Sequence, residues 1–389
     1  MTTTRDLDGA EAGGQFVRTA LALSVLRGEP IRIENVRGNR STPGLGHQHL
    51  AALETMVELT DASVTGAELG AETVRFDPTG SSDGAGGETN ETDPTVPGGT
   101  YEVDIGTAGS ITLLFDAVVP LATVLESPLT LTVTGGTDVK WSPPVDYFRH
   151  VKLPLLRRYG LVAACEVDRR GFYPDGGGRA TLRLAPSRLE PIDLTERGPL
   201  EGVRLYSTEA AALADRDVAH RQAAGGLERL SIVDSDGGRD SSADADSEHA
   251  DGTTITEHRE TTVASDCPGT AIVLRIDHGT GVAGFAALGE RGTPAERVGE
   301  NAADAANRFL AGDAPVDRHL ADQLLPFLAV SGGRLRVPAL TEHVEASCAL
   351  LESFGFAVAI DERSRADGDD RDGEGVVSIA PEQSVDASE

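Results

Sequence analysis

The stretch that decides the fold is "LTEHVEASCALLESFGF", residues 340–356. Its apolar residues recur at helical spacing from Val344 to Phe354, which predicts an amphipathic helix that ends at Gly355. One histidine, His343, falls in the first turn of this helix. It is either an ordinary helix-start residue or a nucleophile, and the stretch alone leaves both interpretations open.

The segments on either side of this helix predict a further helix and several strands. Before it, "RHLADQLLPFLAVSGG" (318–333) predicts a helix and "RLRVPAL" (334–340) a strand. After it, "FAVAIDE" (356–362) and "GVVSIAP" (375–381) have the alternating apolar pattern of strands. The order is therefore helix, strand, helix, strand, strand.

The same order of elements occurs twice earlier in the chain, over residues 13–78 and 109–186. This predicts an α/β fold of three repeated helix-strand-helix-strand-strand units, each a sheet with helices on one face. Residues 186–314 carry strands and helices of their own and are long enough for a smaller inserted α/β domain. The predicted core of three repeats is then 1–185 together with 315–389.

The composition of the chain is strongly acidic. Among 389 residues, 63 are acidic and 34 are Lys or Arg, and lysine occurs only at Lys140 and Lys152. High salt screens such a charge, since the Debye length is about 3 Å at 1 M, so we interpret the acidity as halophilic adaptation of the surface. Two polar stretches, 79–99 and 234–256, are predicted to be solvated loops without chemistry, the second one acidic.

The sequence argues against several classes of protein. Cys165, Cys267 and Cys348 are far apart and show no CxxC spacing, which argues against a disulfide framework or a zinc site. Residues 1–14 have no apolar segment of the signal-peptide type, and no stretch approaches the length of a membrane span. We therefore expect a cytoplasmic protein with no membrane partner.

Two segments in the first repeat suggest phosphate binding. "DGAEAGGQFVRTA" (8–20) places glycines before a helix, where backbone N–H groups can approach an anion, with Glu11 and Arg18 nearby. Further along, Arg37 and Arg40 bracket a short turn, and guanidinium groups bind phosphate oxygens in pairs. A tight turn and ion pairs with surface acids explain the same residues without a ligand.

Other polar residues lie at predicted helix starts. Gln48 and His49 open the helix that follows the arginine turn, and His319, Asp322 and Gln323 open the helix of the third repeat. Asp322 is a candidate metal or nucleotide ligand, or simply a first-turn acid that the helix dipole stabilises. From spacing alone, the sequence indicates a phosphate-handling α/β protein.

Taken together, the motifs identify a family. The chain resembles the RNA 3′-terminal phosphate cyclases over nearly its whole length, in motifs that occur in this order: "DGAEAGGQFVRTALALS", "VRGNRSTPGLGHQHL", "GTAGS", "GGTD", "PPVDYF", "GFYPDGGG", "ERG" (196–198), "HLADQLLPFLAVSGG" and "TEHVEASCALLESF". That family also has three repeats of a small α/β unit and an inserted domain, so the resemblance implies the fold expected above.

The resemblance also implies a reaction. In these cyclases a histidine near the start of the third repeat's second helix attacks the α-phosphorus of ATP, and the matching residue is His343. The AMP of this adenylyl-histidine passes to an RNA 3′-phosphate, and the neighbouring 2′-hydroxyl then closes a 2′,3′-cyclic phosphate and expels AMP. A neutral imidazole is a competent nucleophile, which makes this role chemically reasonable.

The family's other site residues carry over position by position. Glu11 matches a glutamate that holds a divalent metal, Mg²⁺ or Mn²⁺, beside the α-phosphate. The residues that match polar groups around the phosphates and the RNA end are Arg18, Arg37, Arg40, Gln48 and His49. The residues that match the nucleotide-binding positions are His319, Leu320, Ala321, Asp322, Gln323 and Asp116.

The chain departs from the family pattern at four positions. Ala10 and Ala12 replace glycines of the usual opening, and alanine disfavours a positive φ. Asp116 stands where a glutamine is usual, and an acid there repels ATP phosphates unless a cation lies between. His319 replaces an aromatic residue that stacks on adenine in some relatives.

Two alternatives remain at this point. One is an inactive cyclase-like protein that binds RNA or assists ribosome assembly, although such relatives lack the histidine that is present here as His343. The other is a small-molecule transferase of the enolpyruvyl type, which shares the repeat architecture but not the chemistry, since fold does not fix function.

Overall fold

The structure is a computed structural model that describes residues 4–11, 13–80, 94–231, 254–363 and 374–380. In these residues the chain forms a mixed α/β fold with four sheets of four strands each, which confirms the predicted α/β class. The loops predicted at 79–99 and 234–256 fall mostly on residues outside the described ranges. Within those ranges, no helix combines the length and the apolarity needed to cross a membrane.

The first sheet has the strand order β1-β2-β4-β3, with β1 parallel to β2 and the other pairs antiparallel. Its strands are β1 (Arg5–Asp8), β2 (Ile31–Glu34), β3 (Ser63–Thr65) and β4 (Val74–Asp77). Helices α1 (Gly14–Arg27) and α2 (His47–Thr60) connect them. Helix α1 ends at Gly28, whose φ of 60° is easily reached by glycine.

The second sheet repeats this order as β5-β6-β8-β7. Its strands are β5 (Gly99–Asp104), β6 (Leu129–Gly135), β7 (Ala163–Arg169) and β8 (Gly178–Leu184). Helix α3 (Ile111–Val118) continues into a 3₁₀ segment, and α4 (Val145–Tyr147) runs through a π-helical segment (Phe148–Lys152) into α5 (Leu153–Arg158).

A further sheet follows the short strand β9 (Ile192–Leu194) and has the order β11-β10-β12-β13. Its elements are β10 (Leu200–Ala210), α6 (Val218–Arg229), β11 (Ile255–Val263), β12 (Thr270–His278), β13 (Gly281–Leu288) and α7 (Ala295–Ala311). A separate apolar cluster stabilises it, with Val203, Ile272 and Ala302 fully buried.

The last sheet returns to the first pattern, in the order β9-β14-β16-β15. Its remaining elements are α8 (Arg318–Gln323), α9 (Leu325–Ser331), β14 (Gly333–Val337), α10 (Glu342–Ser353), β15 (Val358–Arg363) and β16 (Glu374–Ile379). The largest apolar cluster joins helices of all three sheets of this pattern, for example through Leu21, Phe115 and Leu328.

The sequence analysis missed the first strand of each of these three sheets. β1, β5 and β9 are short or largely exposed, and none is an apolar run that would predict a strand. Each lies parallel to the second strand of its sheet at the edge. β9 falls within the range 186–314, but it pairs with β14 through Gly333 and Ile192 and so belongs to the last sheet.

Candidate active site

His343 is an exposed residue in the first turn of α10. The helix begins at Thr341, whose hydroxyl accepts a hydrogen bond from the Val344 N–H at 3.3 Å. Val344 and Leu351 face the core, so the apolar side of the helix is anchored while His343 points to solvent, as expected from the helical spacing.

The start of α1 lies against His343. A Cβ on Gly13 would stand 3.6 Å from Cε1 of His343 and 3.8 Å from Nη2 of Arg40. The side chain of Gln15 donates to the Ser347 hydroxyl at 3.4 Å and so links α1 to α10. The glycine-rich turn, a guanidinium and the imidazole, which are far apart in sequence, therefore converge at one point.

His49 packs against the same helix start from the other side. Its ring fills the space that a Cβ on Gly14 would need, so glycine is required there for close packing. Arg37 donates from Nη1 to the Gly44 carbonyl at 3.0 Å, and this Nη1 lies 3.4 Å from the Cβ position of Gly46, the residue that precedes α2.

The electrostatics confirm that these groups are neighbours. Burial, helped by the charges of Arg18 and Arg37, lowers the pKa of His49 to about 3. Burial also lowers the pKa of Arg18 to about 10, although Asp116 and Asp322 oppose this change. His49 is therefore an uncharged imidazole at neutral pH, and Arg18 remains a cation.

Three polar atoms of predicted site residues are buried and have no hydrogen-bond partner: Nε2 of Gln48, Nδ1 of His49 and Oε1 of Gln323. Burying a polar atom without a partner costs free energy, and such atoms commonly face a ligand or water. All three belong to residues that the sequence assigned to phosphate or nucleotide binding.

Helix α8 brings the third-repeat residues to the same place. Asp317 caps it by accepting the N–H groups of His319 at 2.9 Å and Leu320 at 3.0 Å, so Asp322 is not a first-turn acid. Burial raises the pKa of Asp322, although the charges of His343, His319 and Lys152 act to lower it. Asp322 thus lies within electrostatic reach of His343.

Two of the predicted nucleotide-binding residues have side chains that lie in the core. The side chains of Leu320 and Ala321 are 0% and 1% exposed and belong to the main apolar cluster. The helical period turns them to the core while His319 on the same helix is exposed. They can therefore contribute only backbone groups to a ligand.

Asp116 has a cationic partner that the sequence analysis did not identify. Nζ of Lys152 lies 2.7 Å from Oδ1 of Asp116, and the two side chains are 2% and 13% exposed. The same ammonium lies 5.6 Å from the centre of the Phe327 ring. The positive charge of Lys152 therefore offsets the repulsion expected between Asp116 and the ATP phosphates.

The family model described as RNA 3′-terminal phosphate cyclase matches residues 10–360. The chain belongs to this family. A protein from Halobacterium salinarum named RNA 3′-terminal phosphate cyclase is 46% identical over 91% of this chain and 96% of its own length. One of the same name from Methanopyrus kandleri is 39% identical over 90% and 92%.

An EPSP synthase from Acinetobacter baumannii has a TM-score of 0.27 and 8% identity, covering 97% of this chain and 66% of that one. A similarity at this level carries no argument about the function of this cyclase-family chain.

The family opening differs here at Ala10 and Ala12. Ala10 is not among the described residues with a positive φ, and its N–H donates to Oδ1 of Asp8 at 3.0 Å, so alanine is accommodated without strain. Ala12 lies outside the described residues. Glu11, between them, is exposed.

The low pKa of His49 predicts a dependence of stability on pH. An imidazole that titrates near 6.5 when unfolded does so only at about 3 in the folded cyclase-family chain. The unfolded state therefore binds more protons between these values, and stability falls as the pH is lowered from about 6.5 towards 3.

We expect His49→Gln to lessen this fall. The measurement is the urea midpoint of both proteins at neutral pH and at a pH between the two values, at constant high salt. Equal losses of stability in both proteins would show that the ring is not buried among cations.

Proposed function

We propose that this chain is an ATP-dependent RNA 3′-terminal phosphate cyclase that works through an adenylyl-histidine at His343. Its membership of the family supports the overall reaction. The observation that carries the residue assignment is the convergence of His343, Arg40 and Gly13 at the start of α1. An exposed imidazole beside backbone N–H groups and a guanidinium suits attack on a phosphorus atom.

In the first step a ring nitrogen of His343 attacks the α-phosphorus of ATP. The N–P bond forms as the bond to the bridging oxygen breaks, and pyrophosphate leaves with the electron pair. Arg40, which lies against the same glycine as His343, is placed to stabilise the negative charge that develops. The ring proton is lost to solvent, because His343 is exposed.

In the second step an oxygen of the RNA 3′-phosphate attacks the phosphorus of the adenylyl group and releases His343. The 2′-hydroxyl then attacks the RNA phosphorus, the cyclic ester forms, and AMP leaves. Arg37, the Gln48 amide and the neutral His49 ring supply hydrogen-bonding groups for the terminal phosphate. Arg18 supplies a buried positive charge beneath them.

For the nucleotide we propose His319, Asp322 and Gln323, with the backbone of Leu320 and Ala321. The first is exposed and offers an aromatic ring to adenine, while Gln323 offers a buried oxygen without a partner. Asp116 and Lys152 form a largely buried ion pair with no net charge, which supports the site without adding charge to it.

A divalent metal, Mg²⁺ or Mn²⁺, fits this site only if the ATP phosphates and water supply most of its ligands. Glu11 is exposed and close in sequence to the glycine turn, but the described residues contain no group of three potential ligands that includes it. Both ions prefer oxygen ligands and keep waters, so phosphate oxygens and water would complete the shell. When bound, the metal offsets charge on the phosphates.

The proposal also covers the domain organisation and the cellular location of the chain. We propose three repeated units over about 1–185 and 315–389, with helices covering one face of each sheet. The inserted domain lies within 186–314 and starts after β9, which belongs to the last sheet. The acidic composition fits a cytoplasm rich in salt.

The proposal is tested by incubating the protein with ATP, a divalent metal and an RNA that ends in a 3′-phosphate, at high salt. We expect a 2′,3′-cyclic phosphate end and one AMP per end. An otherwise identical RNA with a 3′-hydroxyl is the control and should consume no ATP. A folded protein that binds the RNA but forms no cyclic end would instead support the inactive RNA-binding alternative.

A deletion tests the assignment of the acidic loop, which lies outside the described residues. We expect removal of 237–252 to change kcat/KM for cyclisation by less than about twofold, because a polar loop adds few contacts to a folded domain. Steady-state kinetics at high salt are the measurement. A much larger loss in a folded deletion variant would show that the loop has a function.

A further inference from the structure

A cavity of about 290 Å³ lies away from His343, between the second sheet and the sheet that contains β10 and β11. The side chains come from the helix at Asp146–His150, from the end of β7, and from β10 and β11. β7 and β11 are both edge strands of their sheets. Its volume is near the lower end of small-ligand pockets, about 300 Å³, and suits one nucleotide.

The lining of the cavity contains more arginines than acids, and further acids just outside the lining, Asp138, Asp266 and Glu257, pair with these arginines. The lining contains Arg149, Arg169, Arg170 and Arg259 but only two acids, Asp146 and Asp168, whereas acidic residues outnumber basic ones by 63 to 34 in the whole sequence. A local excess of arginine in so acidic a protein points to an anionic ligand.

These arginines differ in how far other groups of the chain already engage their guanidinium groups. Arg170 is buried and binds both Asp138 and Asp146, so its charge is neutralised. Arg149 donates from Nε to the Cys165 carbonyl at 3.1 Å and lies 3.6 Å from Asp146 through Nη1.

Arg169 and Arg259 are more exposed and pair with Asp266 and Glu257 at the surface. Exposed pairs of this kind add little stability, and a guanidinium has more N–H donors than one carboxylate occupies. A phosphate can therefore bind to them without a large loss.

Two aromatic rings also line the cavity, of which Tyr206 is buried at 4% exposure and His150 is half-buried. His150 and Tyr206 stack with ring centres 4.0 Å apart and planes 7° apart. Burial lowers the pKa of His150 to about 4, although Asp146 opposes this, so the ring is neutral at physiological pH. The Tyr206 hydroxyl donates to Glu257 at 2.8 Å, which fixes the pair. Neutral aromatic rings beside arginines are typical of sites for single-stranded nucleic acid.

A short segment connects this cavity to the proposed RNA end. Arg170 lines the cavity, and six residues later a Cβ on Gly176 would stand 2.9 Å from Cα of Ala108. Gly109 follows Ala108 in the chain, and a Cβ on Gly109 would stand 3.7 Å from Cβ of Gln48. The segment from Arg170 to Gly176 therefore joins the lining of the cavity to the turn that packs beside Gln48.

We infer that the cavity binds a nucleotide of the RNA upstream of its 3′ end. Arg149, Arg169 and Arg259 contact one backbone phosphate, and the base stacks on the face of His150 that Tyr206 does not cover. The site reads no particular sequence, because every base has a flat face. The inference rests on the proposed function, and it adds a subsite that keeps the RNA bound while its end reacts.

The test compares two substrates in the double variant Arg169→Gln/Arg259→Gln. One is a dinucleotide that ends in a 3′-phosphate, and the other is a longer single-stranded RNA with the same last two nucleotides. We expect the KM of the longer RNA to rise about tenfold or more, and its salt dependence to become shallower by about 0.7 in log–log slope, the value for one phosphate on a single strand. The KM of the dinucleotide and labelling of the enzyme by ATP should not change.

Arg229→Gln/Arg297→Gln is the matched control, because it removes two exposed, paired arginines on α6 and α7. An equal rise in KM in this control would mean a general charge effect and overturn the site. An unchanged KM for the longer RNA, or equal losses for both substrates, would also overturn it. Failure of the proposed function is distinct, since wild type would then cyclise neither substrate.

Discussion

His343→Ala is expected to abolish labelling of the protein by α-labelled ATP, a loss of roughly 10⁴-fold or more, as for other covalent nucleophiles. The reason is that no other described histidine has its ring carbon in contact range of Gly13 beside Arg40. The measurement is a denaturing gel after incubation with a divalent metal at high salt. The wild-type band should be labile to acid and stable to alkali, as expected of a phosphorus–nitrogen bond.

The variant should remain folded, because His343 is exposed and Thr341 still caps α10. We expect its free energy of unfolding to stay within about 0.5 kcal/mol of wild type. His319→Ala is the matched control, since it removes another exposed histidine of the same site. It should retain labelling at saturating ATP. A labelled His343→Ala protein with the same chemical stability would disprove the assignment.

The α/β class and most of the helices and strands were predictable from the sequence because these elements depend on local periodicity. The position of His343 followed from the apolar spacing of α10, and the structure confirms that the residue is exposed. The strands β1, β5 and β9 were not predictable in the same way. Their residues are held by pairing with distant strands, and a short polar edge strand has no periodic apolar signal.

The site shows the same division between local and distant information. Gly14 was interpreted as part of an anion-binding turn, but its lack of a side chain also makes room for the His49 ring, a contact that no sequence pattern reports. Leu320 and Ala321 matched a family segment, yet the helix turns both to the core. Lys152 was noted only as a rare lysine, because its pairing with Asp116 spans 36 positions.

The pairing of Asp116 with Lys152 leads to the largest expected effect on stability. Asp116→Gln, which restores the residue usual in the family, should lower the free energy of unfolding by about 3–5 kcal/mol, because it leaves the buried Lys152 ammonium without its partner. Lys152→Met should cost a similar amount by leaving the carboxylate of Asp116 uncompensated. The measurement is the free energy of unfolding of both variants and of wild type, from urea unfolding at constant high salt.

The double variant Asp116→Gln/Lys152→Met decides whether the pair is the cause. Replacing both partners removes the uncompensated charge, and methionine can pack against Phe327, so we expect most of the loss to be recovered. If the double variant instead loses the sum of the two single losses to within about 0.5 kcal/mol, the residues do not interact. Labelling of the folded double variant by ATP should persist, since the charge that Asp116 brings into the site is cancelled by Lys152 rather than used on the nucleotide.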